Sequence, residues 1–223
     1  MHDITYQPRW TTSGAWSLGR DPLGMQATSV RMYRQLVPGL TNVTNRLRYY
    51  SFYCWVVHRW AVIRHADDLQ EWRLFIRRAE ALFAIACEAY APNTGGLAGS
   101  EWARLQLATP MDETFDLRPH TNRPGEANQY LKAKGGNFGQ FYVRSMQETE
   151  FLAPTEGVPV VADKGREMAN AFEDAVGEAV ASKLTNAIKN GVLEFSSLPL
   201  LGEAVHPSNL KDDTLEMGML RNF

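Results

Sequence analysis

Apolar positions recur along most of this chain at steps of three and four, the spacing of one face of a helix. The pattern is densest over residues 38–64, PGLTNVTNRLRYYSFYCWVVHRWAVIR. Pro38-Gly39 closes a preceding helix expected over about residues 25–37, and Thr41, Asn42 or Thr44 can cap a helix running to about His65. Leu47, Tyr50, Cys54, Val57 and Ala61 fall on one face of that helix, and Phe52, Trp55, Val56, Trp60 and Ile63 cover much of the rest. A helix apolar on most sides is central in a bundle, so Tyr50, Phe52 and Trp55 are read as packing rather than as base-stacking rings. Asp67 and Asp68 then cap a third helix ending near Tyr90, with Leu69, Trp72, Phe75, Ile76, Ala79, Leu82, Phe83 and Ala86 as its stripe. Its wet side is assigned to Arg73, Arg77, Arg78 and Glu80.

Residues 1–24 carry no periodic pattern and are broken by Gly14, Gly19, Pro22 and Gly24. A glycine-containing loop, NTGGLAGSEW, leads into a short helix capped by Ser100. It lacks the Gly-Lys-Ser/Thr ending and the preceding strand of a phosphate loop. Residues 109–128 read as loop, with prolines at 110, 119 and 124. From Tyr130 the order becomes a helix over about residues 138–149, a β-hairpin near 151–162 turning at Pro154 to Gly157, and a helix capped by Asp163. That helix bends near Gly177 and stops at Gly191. A short helix around Leu198 to Ala204 and a last one reaching the final residue follow; its apolar pattern shows no stop signal, so it is expected to continue past Phe223. The expected fold is mainly α, a helical bundle with a small winged-helix-like β-hairpin. Three stretches are expected: 1–92, rich in arginine and aromatics; 93–190, winged-helix-like; and 191–223, the C-terminal helices.

With 223 residues, 44% of them apolar, the chain can bury a core without staples. Its formal net charge of -2 conceals an uneven distribution. Residues 1–80 hold eleven arginines, no lysine and six acids; the remainder holds twelve basic and nineteen acidic residues. An arginine-only basic half suits bidentate contact with phosphate or carboxylate, or pairing with the acidic half. The candidate nucleic-acid or partner-binding residues are Arg46, Arg48, Arg73, Arg77, Arg78 and Arg144. Against DNA contact, the helix before the hairpin ends in Glu148 and Glu150 and the hairpin carries Glu156, and acids at a contact surface oppose phosphate. Cys54 and Cys87 sit in apolar helical patterns, as buried free thiols of a reducing compartment do. No long apolar run of membrane-spanning length appears, and a cytoplasmic location is expected.

No reaction is legible. The histidines stand at positions 2, 58, 65, 120 and 206, without metal-ligand spacing, and no HExxH, CxxC or GxSxG motif occurs. The acid groups Asp112, Glu113 and Asp116, and Glu173, Asp174 and Glu178, are the material a metal-dependent nuclease would need. The first group falls in a loop, and the second lies on the exposed flank of a helix without an accompanying lysine on a following strand. No catalytic, metal or cofactor residue is assigned.

The segments PGLTNVTNRLRYYSFYCWVV, FIRRAEALFAIA and GGLAGSEW, with VADKGREMANAFEDA after the hairpin, resemble a group of bacterial proteins associated with anti-phage defence loci. The matching positions are Pro38, Gly39, Thr41, Arg46, Arg48, Tyr49, Tyr50, Arg77, Arg78 and Glu80. The resemblance covers about two-thirds of the chain. It implies a non-catalytic helical scaffold or regulatory subunit bridging an SMC-like ATPase and an effector nuclease, as in Lamassu-type systems. It carries over no catalytic residue. A DNA-binding winged-helix-like module that senses foreign nucleic acid is the alternative, and a metal-dependent nuclease the second alternative.

Overall fold

The computed structural model describes residues 27–36, 43–44, 46–64, 68–109, 113–123 and 126–222. The chain forms two compact units, Met1–Pro38 and Gly39–Phe223. Within the first, one helix, α1, spans Ala27–Leu36. Within the second, the main helices are α2 (Arg48–Arg64), α3 (Leu69–Tyr90), α4 (Ser100–Leu107), α5 (Arg118–Thr121), α6 (Val143–Glu148), α7 (Asp163–Val176), α8 (Glu178–Asn190), α9 (Leu198–Val205) and α10 (Leu215–Arg221). A wide π-helical segment, Phe138–Tyr142, leads into α6. The fold is mainly helical, as the periodicity predicts, and among the described residues it holds one small antiparallel sheet.

The aromatic stretch is the centre of the bundle. Every residue from Arg48 to Val57 is buried. Phe52 stacks among Phe83 of α3 and Phe172 of α7, at ring separations of 4.7 and 5.9 Å. Trp60 meets Trp72 edge to face at 5.8 Å. Burial of each such ring contributes roughly 2–3 kcal/mol, so α2 holds through tertiary contact on all sides. Helix α7 packs along α2, and α9 along α3. The second contact requires Gly202, because a methyl group there would collide with the Ala86 carbonyl oxygen of α3.

Helix ends follow simple chemistry. Asp68 caps α3 by accepting from the backbone N–H of Gln70 and Glu71. Gly177, at φ 85°, separates α7 from α8, and Gly191, at φ 70°, ends α8 in the left-handed region. Asp67, the other expected cap, and the expected 1–24 arm lie outside the described residues. Two expected caps differ. Asp163 is the first residue of α7, not its cap; its side chain points outward toward Arg166, 3.4 Å away. Gly99 precedes Ser100 as the cap position of α4.

The β structure is also placed differently from expectation. Residues read as loop include β1 (Thr114–Asp116), which pairs antiparallel with β2 (Val192–Glu194), Phe115 opposite Leu193. The expected hairpin is present as a single antiparallel bridge between Leu152 and Val161. It is flanked by hydrogen bonds from Ala153 N–H to the Val160 carbonyl and from Ala162 N–H to the Phe151 carbonyl, 2.9 and 3.0 Å. The order helix, hairpin, helix over residues 138–176 is as predicted.

Candidate partner-binding cleft

The polar side chains at the start of α2 reach several parts of the second unit. Tyr49 Oη accepts from the Ala98 N–H at 3.1 Å. Tyr50 Oη and Ser145 Oγ of α6 are 2.6 Å apart. Ser51 Oγ donates to Glu216 Oε1 of α10 at 2.5 Å, and Arg48 donates to the His206 carbonyl at 3.2 Å. Tyr53 Oη donates to Glu80 Oε1 at 3.0 Å and accepts from Asn137 Nδ2 at 2.8 Å. The motif RYYSF is therefore a hub: its rings fill the core while its polar tips fix four other segments.

The RRAE motif is a clamp. Arg77, 1% exposed, donates to the carbonyls of Thr121, Leu131 and Ala133 at 2.8, 2.9 and 2.6 Å. Glu80, also 1% exposed, accepts from the backbone N–H of Asn137 and Phe138 at 3.0 and 2.6 Å. A cation thus gathers carbonyls, and the carboxyl oxygens of Glu80 accept from the free N–H groups that open the π-helical segment. Gly136, at φ 65°, has no room for a side chain beside the Glu80 carboxylate. Burial pushes Glu80 up to about 7, against the lowering effect of its hydrogen bonds and of Arg77. The assignment of Arg77 and Glu80 to the wet side of α3 is overturned: both stand on its buried flank because each finds polar backbone to saturate.

The six candidate arginines do not converge on one surface. Arg48 and Arg77 are removed from recognition by burial, at 3% and 1% exposure, and by internal bonds. Arg46 donates to the Gly95 carbonyl and Arg78 to the Lys189 carbonyl. Arg144 is exposed and pairs with Glu148 at 3.0 Å. Arg73 lines an open groove with Lys134. Of the acid groups, Asp116 is engaged by Arg118, and Glu173 by Arg59 and Trp55. Among the described residues, no group of three or more His, Cys, Asp or Glu side chains could hold a metal ion. Cys54 and Cys87 are buried free thiols, pushed up by desolvation.

A cleft of about 490 Å³ opens between the end of α7, the start of α8, α9 and α10. Its sides mix apolar side chains, Val176, Val180, Leu200, Ala204 and Leu210, with polar ones, Ser208, Asn209 and Thr214. Lys211 and Glu203 line it as well, and Arg48 and Glu216 close it from below. Arg48 Nη2 lies 3.3 Å from Glu216 Oε2, with both side chains almost wholly buried. Desolvation lowers Arg48 and raises Glu216, and each holds the other charged against it. His206, buried beside them, is lowered by desolvation and by Arg46 and Arg48. Leu200 remains 47% exposed, and Leu215, next to Glu216, 65%. Chemically the cleft offers apolar contact around a fixed ion pair. Sequence reasoning did not single it out. The available signal was Glu216 itself, four residues before the buried Leu220 and so on the inward face of α10.

The fold and site define a mainly helical protein with a partly apolar cleft over a buried ion pair. Compared with protein families, with curated proteins and with solved structures, the chain matches none.

Proposed function

We propose that this chain is a non-catalytic helical scaffold or regulatory subunit of a bacterial anti-phage defence complex, bridging an SMC-like ATPase and an effector nuclease in the cytoplasm. The observation that carries the protein-interaction reading is the cleft between α7, α8, α9 and α10, partly apolar, with Leu200 exposed in its lining and Leu215 exposed between its lining residues Thr214 and Glu216. Exposed apolar surface around a concave site is the feature by which a protein partner gains affinity. The defence setting rests on the resemblance carried by PGLT, RYYSF and RRAE. No helix among the described residues is long and apolar enough to cross a membrane.

The reading is tested by co-expressing the chain with the products of its neighbouring genes and following the assembly by size-exclusion chromatography. An ATPase or nuclease should co-elute with it. Leu200→Asp with Leu215→Asp should abolish co-elution while circular dichroism stays unchanged. A chain that elutes alone beside every neighbour refutes the scaffold reading, and a complex indifferent to the double substitution refutes the cleft as its docking site.

A further inference from the structure

A second concave surface lies on another part of the same unit. The groove, about 420 Å³, runs between the first turn of α3, residues 133–139, the π-helical segment with α6, and the tip of the hairpin. Its charged lining is Arg73 and Lys134, with no carboxylate. Neither cation takes part in an ion pair among the described residues. Gln140 and Gln147 add side-chain amides, and Thr155 a hydroxyl.

The acids that argued against phosphate contact are sorted by the structure. Glu148 is neutralised by Arg144, and neither lines the groove. Glu150 and Glu156 are exposed outside its lining. On α3, Asp68 is engaged as the helix cap, and Glu71 lines a separate depression with Trp60 and Arg78. The groove is also preorganised. Lys134 follows Ala133, whose carbonyl is held by Arg77, and precedes the N–H groups held by Glu80. Arg73 stands one turn before Arg77 on the same helix, so the clamp that fixes the loop also fixes the spacing of the two cations.

From this we infer that the groove binds the phosphodiester backbone of a single nucleic-acid strand, with Arg73 and Lys134 each contacting phosphate. A strand rather than a duplex is the occupant because of shape. The face of the helix carrying Gln140, Val143 and Gln147 lies in a depression that α3 and the hairpin tip also line. It cannot project into a major groove as a reading helix does, whereas a concave, cationic channel tracks one backbone. The inference goes beyond the scaffold reading and stands on different residues.

Fluorescence anisotropy with a labelled single-stranded oligonucleotide and its duplex tests it. Single-strand binding should exceed duplex binding and fall with salt. Arg73→Ala with Lys134→Ala should weaken it roughly tenfold at low salt and reduce the magnitude of the log–log salt slope by about 1.4, the share of two phosphate contacts. Arg73→Lys with Lys134→Arg, which keeps both charges, should retain most of the binding; this pair and Lys134→Ala alone serve if the alanine double variant loses its fold. Absent binding, duplex binding as tight as single-strand binding, indifference to the substitutions, or equal competition by polyglutamate would each overturn the inference.

Discussion

Replacing Glu80 with glutamine isolates the titration of one buried carboxyl. Glu80 is enclosed and accepts from Tyr53, Asn137 and Phe138, yet desolvation lifts it from 4.5 to about 7. Between those values the folded chain keeps a proton that the unfolded chain has released. Raising the pH through this window therefore lowers stability. The contribution is fully present below pH 4.5 and is lost above 7, a change of about 3 kcal/mol at 1.36 kcal/mol per pKa unit. The substituted amide cannot titrate, while every other group is common to both proteins. Urea unfolding followed by tryptophan fluorescence at pH 5, 6, 7 and 8 gives the difference in stability, wild type minus E80Q. That difference should fall steadily with pH and level off near 8. Parallel curves with a constant offset would refute the reasoning, showing that the fold keeps Glu80 ionised throughout.

Two further substitutions probe the packing. Removing one member of the Arg48–Glu216 pair, as in Arg48→Met or Glu216→Leu, should cost about 3–5 kcal/mol in urea unfolding, whereas the double apolar replacement should recover most of that loss, because it leaves no uncompensated buried charge. Gly202→Ala should destabilise by about 1–3 kcal/mol by forcing α9 away from the Ala86 carbonyl, seen as a lower urea midpoint with an unchanged slope.

Much of the architecture is legible in the sequence because the helices are long and their apolar periods strong. The central position of α2 follows from rings on nearly every side, and Gly177 and Gly191 mark the break and the stop that the backbone requires. The paired strands are missed for a physical reason. Three residues are too few to display a two-residue alternation, and β1 finds its partner only beyond α5, α6, α7 and α8. Arg77 and Glu80 are misread because charge on a helix ordinarily marks its solvent side. Nothing local to α3 reveals that residues 121 and 131–138 would bring bare carbonyls and N–H groups to meet them. The candidate sites suffer from the same blindness: residue type identifies arginines able to recognise an anion, but only the folded chain separates Arg73, which lines a groove, from Arg48 and Arg77, which are spent on internal bonds.

The hub at the start of α2 also constrains the order in which the molecule can assemble. Its partners are drawn from residues as late as His206 and Glu216, and its ring surface is covered by α7. During synthesis the most aromatic segment of the protein leaves the ribosome long before the helices that shelter it. Until the last turns emerge, that segment is a sticky, half-solvated surface of the sort that chaperones hold, and a nascent chain halted before α10 leaves Arg48 without its counter-charge.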